Sequence, residues 1–207
     1  MNAPLAGVTV VAMEQAVAAP MCTRVLADFG ARVIKVENPN GGDFARAYDD
    51  VVNGPGGLAA HFVWCNRGKE SVTLNTKSPQ GLDLLHRLLD TADAFVSNLA
   101  PGSTARMGIA AADLAQRHPN VIPVEIDGYG PGGPISHKRA YDLLVQAESG
   151  SCAITGYPGM PAKPGPRWPT SRRACTPRYR FSRCSSGAES GRREPRRRRS
   201  NSACSTS

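Results

Sequence analysis

Residues 8–37, which read VTVVAMEQAVAAPMCTRVLADFGARVIKVE, decide the fold. Runs of β-branched and other apolar residues at 7–12 and 33–36 predict two buried strands. Between them apolar residues recur at helical spacing, Pro20 suits a first helical turn, and Gly30 stands where a C-terminal cap belongs. The stretch therefore predicts one strand–helix–strand unit.

The same alternation continues along the chain. The pattern predicts further strands at 71–74, 94–97 and 120–126, and helices at 79–92, 111–117 and 141–149. Ser78 can cap the first of these helices, and Pro79 can occupy its first position. Because parallel strands need crossover connections, we expect a Rossmann-like α/β domain over residues 1–165, a mostly parallel sheet with helices on both faces.

The charge of the chain is concentrated at one end. The formal net charge is +8, but the segment from Arg167 onward has twelve Arg against only Glu189 and Glu194, so residues 1–166 carry about −2. The body is thus near neutral, which argues against a basic nucleic-acid-binding fold. No apolar run approaches the roughly 20 residues of a membrane span, and no signal peptide is evident, so we expect a cytoplasmic protein.

The six cysteines show no metal-binding spacing, so we expect buried free thiols and no metal site.

Five stretches of the body, in order and in register, carry a family resemblance. They are PLAGV with EQAVAAP, LADFGARVIKVE with Gly42, Asp43 and Arg46, NRGK with LNTKSPQG, the segment from Pro101-Gly102 to Arg106-Met107-Gly108, and GYGPGGP at 128–134. Together they resemble class III CoA-transferases, the CaiB/BaiF family that includes formyl-CoA transferase and α-methylacyl-CoA racemase. The resemblance implies an enzyme that moves CoA between an acyl-CoA and a small carboxylic acid, with CoA as substrate and no covalently bound cofactor. It also implies a second, smaller domain and an interlocked homodimer.

The resemblance also implies which residues bind CoA. The cations at or beside the matching positions are Lys77, Arg106, Lys138 and Arg139, and the other matching positions are Gln15, Val17, Ala18 and Asn98. Cations and turn N–H groups suit the phosphates of CoA. A Lys taken alone is more often a solvated surface charge, whereas the place of Arg106 inside a matched segment favours the CoA role. Many family members carry Arg where this chain has Asn38.

The segment after GYGPGGP bears on the reaction type. Racemases of this family carry a His-Asp pair here, whereas this chain reads Ala140-Tyr141-Asp142. Without the His, proton shuttling between two bases lacks one partner, so a transferase is favoured and a racemase is the alternative. Tyr141 and Asp142 adjoin the expected site. Asp142 could be a catalytic carboxylate, but its place at a predicted helix start favours a structural role, in which it caps the helix or complements its dipole.

The family's transferases use an aspartate nucleophile that forms acyl-aspartyl and aspartyl-CoA intermediates. Its expected place, in a VADxxxGM context, is occupied here by RWPTSRR at 167–173. Residues 167–207 contain no Leu, Ile, Val or Met, and G+C-rich codons for this stretch can encode VADVSAGMYAAVSVLAVLLR in another frame. We therefore expect 166–207 to be an out-of-frame, disordered tail, and the chain as written to be inactive.

The sequence fits two other functional classes less well. A dehydrogenase-type nucleotide-binding domain would need GxGxxG after the first strand, and residues 15–20 read QAVAAP instead. The basic run 196–199 could bind polyanions nonspecifically, but the tail has few stacking aromatics, so no specific nucleic acid is expected as a partner.

Overall fold

The computed structural model describes residues 3–164. Five parallel strands form one sheet in the order β3-β2-β1-β4-β5, namely β1 (Thr9–Met13), β2 (Arg32–Glu37), β3 (Glu70–Thr73), β4 (Ala94–Ser97) and β5 (Ile122–Glu125). The helices are α1 (Ala18–Asp28), α2 (Ala60–Asn66), α3 (Pro79–Leu89), α4 (Ser103–Arg106), α5 (Ala111–Arg117) and α6 (Asp142–Glu148). A 3₁₀ helix (Phe44–Ala47) and an antiparallel pair, β6 (Gly156–Tyr157) and β7 (Met160–Pro161), complete the described part.

Each face of the sheet has its own apolar core, since successive side chains of a strand point to opposite faces. On one face Val10, Ala12 and Val33 pack with Cys22 and Leu26 of α1. On the other face the partners of Val11, Val36 and Phe95 are Leu85 and Leu89 of α3, with Leu114 of α5. The predicted parallel sheet with helices on both faces is confirmed.

The end of α1 shows why the local sequence folds as predicted. Gly30 adopts φ +95°, its N–H donates to the Ala27 carbonyl, and the Ala31 N–H donates to the Leu26 carbonyl. This is a Schellman cap, in which the left-handed residue is usually glycine. The cap turns the chain directly into β2.

Several boundaries differ from the sequence-based prediction. Helix α3 ends at Leu89 and not near Ala92, because the Thr91 hydroxyl and N–H both donate to the Leu88 carbonyl and close the helix in a turn. The sequence patterns did not predict α2, α4, the 3₁₀ helix or the β6–β7 pair, all of which are short. The predicted tail at 166–207 lies outside the described residues.

Two of the expected buried thiols are confirmed: Cys22 and Cys65 are buried, Cys152 is half-buried, and none of the three forms a disulfide within the described residues.

Four ionic side chains are buried together between β1, β2 and α1. The Lys35 ammonium lies 2.7 Å from Asp43 Oδ2 and 3.6 Å from Glu14 Oε1, and the Lys69 ammonium lies 2.6 Å from Glu14 Oε1. These side chains are at most 2% exposed. We call Glu14, Lys35, Asp43 and Lys69 the buried ion cluster. Its two cations and two anions cancel, as burial of charge requires.

Neutral groups complete the hydrogen bonds of the buried ion cluster. Asn66 Oδ1 accepts from both ammonium groups at 3.0 Å, and the Thr23 hydroxyl donates to Glu14 Oε2 at 2.7 Å. The Pro20 carbonyl accepts from Lys69 at 2.8 Å. Burial lowers the pKa of Lys69, and the Glu14 carboxylate opposes that shift. The cluster thus links two strands, two helices and the loop after β2.

Replacing Lys35 by Met should destabilise the fold strongly, since the two buried carboxylates would share one cation. The expected loss in the free energy of unfolding is about 3–5 kcal/mol, the range for breaking a buried ion pair. Urea denaturation at pH 7 measures it. Lys163→Met, at an exposed lysine, is the matched control and should change the free energy by less than about 0.5 kcal/mol. Equal effects of the two substitutions would show that the cluster does not stabilise the fold.

Candidate functional site

Two adjoining cavities open at the carboxyl ends of the strands. Their volumes are about 670 and 510 Å³, and Gln15 and Leu99 line both. The strand order reverses between β1 and β4, which end at Met13 and Ser97. Open parallel sheets bind ligands at such a reversal, outside the carboxyl ends of the strands. The cavities therefore lie where this fold is expected to bind a ligand.

The larger cavity contains two of the predicted cations, Lys77 and Arg106. Both side chains are exposed, and Arg106 Nη2 donates to Ser103 Oγ at 3.0 Å. Among the described residues Arg106 has no carboxylate partner, so its remaining N–H groups can meet an anion. Apolar contact comes from Leu74, Leu82 and Leu99. The cavity offers an apolar surface with cations at its rim.

The smaller cavity contains most of the other predicted residues. Its lining includes Val17, Ala18, Asn98, Lys138, Arg139, Tyr141 and Asp142. The Lys138 ammonium is 3.0 Å from a Glu148 carboxylate oxygen, and the Tyr129 hydroxyl donates to the other oxygen. Glu148 therefore offsets the charge of Lys138, whereas Arg139 is exposed and makes no ion pair within the described part.

The turn formed by residues 15–17, the Gln15 turn, separates the two cavities. The Gln15 N–H donates to Asn98 Oδ1 at 2.8 Å, and Asn98 Nδ2 donates to the Gln15 carbonyl at 2.9 Å. The amide of Asn98 thus joins the end of β1 to the end of β4. It holds the turn across the reversal point, a role that the sequence resemblance did not indicate.

Helix α1 begins directly after the Gln15 turn, and its first residues line the smaller cavity. The N-cap residue is Val17, no side chain within the described residues caps this end, and the first turn has no acidic residue. Uncapped N–H groups at a helix start attract anions, because they carry partial positive charge. This end of α1 can therefore meet a phosphate or a carboxylate.

Asp142 was predicted to cap the helix start or to complement its dipole, and the second form is confirmed because Asp142 stands in the first turn of α6. Asp142 is the first residue of α6 and Tyr141 is its N-cap, so the carboxylate lies one position beyond the cap. Asp142 Oδ2 accepts from Gln146 Nε2 at 2.8 Å, one helical turn later. The predicted helix start is confirmed within one residue, and the carboxylate lines the smaller cavity.

Asn38, which replaces the family's frequent Arg, lines the larger cavity, but its Oδ1 accepts from the Asn40 N–H at 2.9 Å. This bond shapes the loop after β2. The Asn38 side chain is neutral, so this position offers no cation to a ligand.

Besides Glu14 and Asp43, a third buried carboxylate, Glu37, lines the larger cavity. Arg46 donates to both of its oxygens at 2.6 and 2.8 Å and stacks on Phe62, with 4.0 Å from the guanidinium carbon to the ring centre. Burial alone would raise the pKa of Glu37, but hydrogen bonds from Arg46, the Ser71 hydroxyl and the Asp43 N–H lower it to about 2. Glu37 is therefore ionised at neutral pH and fixes the start of the 3₁₀ helix.

The sequence indicated the residues at the rim of the two cavities but not the residues that support them. Every residue predicted to bind CoA lines at least one of the two cavities: Gln15, Val17, Ala18, Lys77, Asn98, Arg106, Lys138 and Arg139. Their contact with a ligand stays a prediction. The supporting residues Glu14, Lys35 and Glu37 were not singled out. A signal for them existed, because Lys35 and Glu37 stand inside an otherwise apolar strand run, where a charge needs a buried partner.

No helix among residues 3–164 is long and apolar enough to cross a membrane. Within the same range no group of three or more His, Cys, Asp or Glu side chains could hold a metal ion.

Comparisons with known proteins agree with this geometry. Residues 5–171 match the model of CoA-transferase family III. The chain is 39% identical over 167 residues to succinate--glutarate CoA-transferase of Agrobacterium fabrum, covering 78% of this chain and 42% of that protein. It is 38% identical to the human succinyl-CoA:glutarate CoA-transferase, covering 78% of this chain and 37% of that protein.

Among solved structures, Rv3272 from Mycobacterium tuberculosis superposes with a TM-score of 0.83 at 34% identity, covering 91% of this chain and 52% of that chain. The chain spans less than half the length of the curated relatives described above.

The pKa of Glu37 predicts a pH dependence of stability. Because the folded-state value of about 2 lies below the ordinary 4.5, the ionised carboxylate stabilises the fold above pH 4.5, and this contribution disappears as the pH falls toward 2. Glu37→Gln should therefore be less stable than the wild type at pH 7, and the difference should shrink between pH 4.5 and 2. Urea denaturation across this range measures it.

The control for this experiment is Asp50→Asn at an exposed carboxylate. A constant difference between Glu37→Gln and the wild type from pH 7 to 2.5 would contradict the assigned pKa.

Proposed function

Because the chain belongs to CoA-transferase family III, we propose that its described domain binds the CoA part of an acyl-CoA, in a protein that moves CoA to a small carboxylic acid. The observation that carries this proposal is the pair of cavities that meet at Gln15 and Leu99, each with cations at its rim. A long ligand with a phosphate-bearing nucleotide at one end and an extended arm at the other suits such a pair of cavities. CoA is such a ligand, and it is a substrate here and not a bound cofactor.

The charges favour one direction for CoA. Lys77 and Arg106 of the larger cavity would bind the 3′-phosphate end of the nucleotide, since guanidinium groups form two parallel hydrogen bonds to phosphate. The arm would pass the Gln15 turn, where the start of α1 offers N–H groups. The thioester would then lie in the smaller cavity beside Tyr141 and Asp142.

A transferase is favoured over a racemase by the residues of the smaller cavity. Tyr141, which precedes Asp142 where the racemases carry His before Asp, lines this cavity together with Asp142. An imidazole base is thus lacking at that position, and proton exchange at an α-carbon needs two bases. Acyl transfer through a carboxylate needs only one nucleophile.

The remaining parts of the proposal concern the whole protein. The family's interlocked homodimer and a cytoplasmic location stay predictions. Exposed apolar side chains near the end of the described part support a covering partner: Leu143 is 55%, Ile154 87% and Tyr157 81% exposed. The donor acyl group and the acceptor acid are left open by the described residues.

Arg106→Ala should weaken CoA binding by about 1–3 kcal/mol, roughly 5- to 150-fold, because a charge-assisted bond to phosphate is lost. Calorimetric titration with CoA measures the loss of affinity, and titration with 3′-dephospho-CoA shows whether the lost bond was made to the 3′-phosphate. If Arg106 meets the 3′-phosphate, the variant and the wild type should bind dephospho-CoA with similar affinity. Arg87→Ala, at an exposed arginine of α3 outside both cavities, is the control. Unchanged CoA affinity in Arg106→Ala would remove this residue from the site.

The chain as written should show no CoA-transfer turnover, since 167–173 read RWPTSRR where the family aspartate is expected. A version carrying VADVSAGMYAAVSVLAVLLR from residue 167, followed by the rest of the alternative frame, should regain turnover. The assay supplies several acyl-CoA donors and small carboxylates and detects new CoA esters and acylated protein by mass spectrometry. Turnover by the chain as written that Asp142→Ala abolishes would instead assign the nucleophile to Asp142.

A further inference from the structure

Ala16, at the centre of the Gln15 turn, has a left-handed backbone. Its φ is +62°, and among the described residues other than glycine only Asn53 shares a positive φ. Alanine has no polar side chain that could compensate for this conformation, which is unfavourable for residues with a Cβ atom. Such a residue persists only where its surroundings fix it, and such residues cluster at ligand sites.

One side chain supplies this constraint from inside the protein. Asp43 Oδ1 accepts from the Ala16 N–H at 3.1 Å and from the Ala45 N–H at 2.9 Å, while Asp43 Oδ2 accepts from the Lys35 ammonium at 2.7 Å. Asp43 itself is 1% exposed. Its carboxylate therefore connects the buried ion cluster to the backbone of the turn, and its position is fixed from both sides.

The turn it fixes is the part of the site where small displacements matter most. Gln15 lines both cavities, and Ala16, Val17 and Ala18 line the smaller one. If Ala16 relaxed to a right-handed or extended conformation, the Gln15 carbonyl and the first amides of α1 would reorient. The boundary between the two cavities would change with them.

We propose that Asp43 is a positioning residue of the CoA site: anchored by Lys35, it holds Ala16 in the left-handed conformation and thereby sets the shape of the Gln15 turn. This inference rests on the proposed CoA-binding function. It assigns the loop after β2 a role in affinity as well as in folding.

Two variants test the inference in the full chain by calorimetric titration with CoA. Asp43→Ala removes the acceptor of the Ala16 N–H, and Ala16→Val introduces a β-branched side chain that disfavours positive φ while leaving the buried ion cluster intact. Each should weaken CoA binding roughly tenfold, the order expected when a left-handed residue loses its support. Because Asp43→Ala could impair folding, Ala16→Val keeps the test independent of the cluster.

A control variant and a rescue variant distinguish the loss of the turn's shape from a general loss of stability. Asn66→Ala removes a hydrogen bond from each of the two ammonium groups but does not touch the turn, so it should lower the urea midpoint and change CoA affinity less than about twofold. Adding Ala16→Gly to Asp43→Ala should recover several-fold of the lost affinity, because glycine adopts positive φ at little cost.

Hydrogen exchange of the Ala16 amide, measured by NMR, tests the role of Asp43 without a ligand. Asp43→Ala should accelerate it and Asn66→Ala should not. The inference is overturned if wild type binds CoA and Ala16→Val binds it equally well, or if Asn66→Ala loses as much affinity as Asp43→Ala. If wild type does not bind CoA, the proposed function fails and the positioning role fails with it, while the exchange rates still show whether Asp43 holds the turn.

Discussion

The constraint on which the rest of the structure depends is the burial of two lysines and two acids beside the central strand. Each ion loses its water on folding, and the loss is offset only if opposite charges and hydrogen bonds meet in one geometry. Lys35 and Lys69 satisfy this condition by bringing together Glu14 after β1, Asp43 in the loop after β2, and Asn66 at the end of α2. A displaced element would leave a buried ion without its partner, so the cluster fixes the relative positions of these elements.

This geometry reaches the site through the backbone. Asp43 bonds to the N–H of Ala16, and Asn98 bonds to both polar backbone groups of Gln15. The reversal point of a parallel sheet otherwise leaves a crevice lined by loops. Here the loops are fixed by side chains that are themselves fixed in the interior, so the boundary between the two cavities is preorganised.

The electrostatic character of the site follows from which charges are buried and which are exposed. Inside, the ions are paired and cancel, as do Glu37 and Arg46 under the larger cavity. At the rim, Lys77, Arg106 and Arg139 are exposed, and the described residues give them no carboxylate partners. Exposed cations at the rim and a neutral interior suit an anionic ligand that enters from solvent, because the negative charges of the ligand can pair with these cations.

The sequence by itself determined the alternation of strands and helices, since side-chain periodicity and the signals at Gly30, Ser78 and Pro79 act over a few residues. It also indicated the rim residues through the family resemblance. It could not show that Lys35 meets Asp43, that Asn98 bonds to Gln15, or that Ala16 is left-handed. The hydrogen bonds join residues from 8 to 83 positions apart, and the left-handed conformation of Ala16 depends on one of them. They therefore form only once the parallel sheet has brought the carboxyl ends of its strands to one edge.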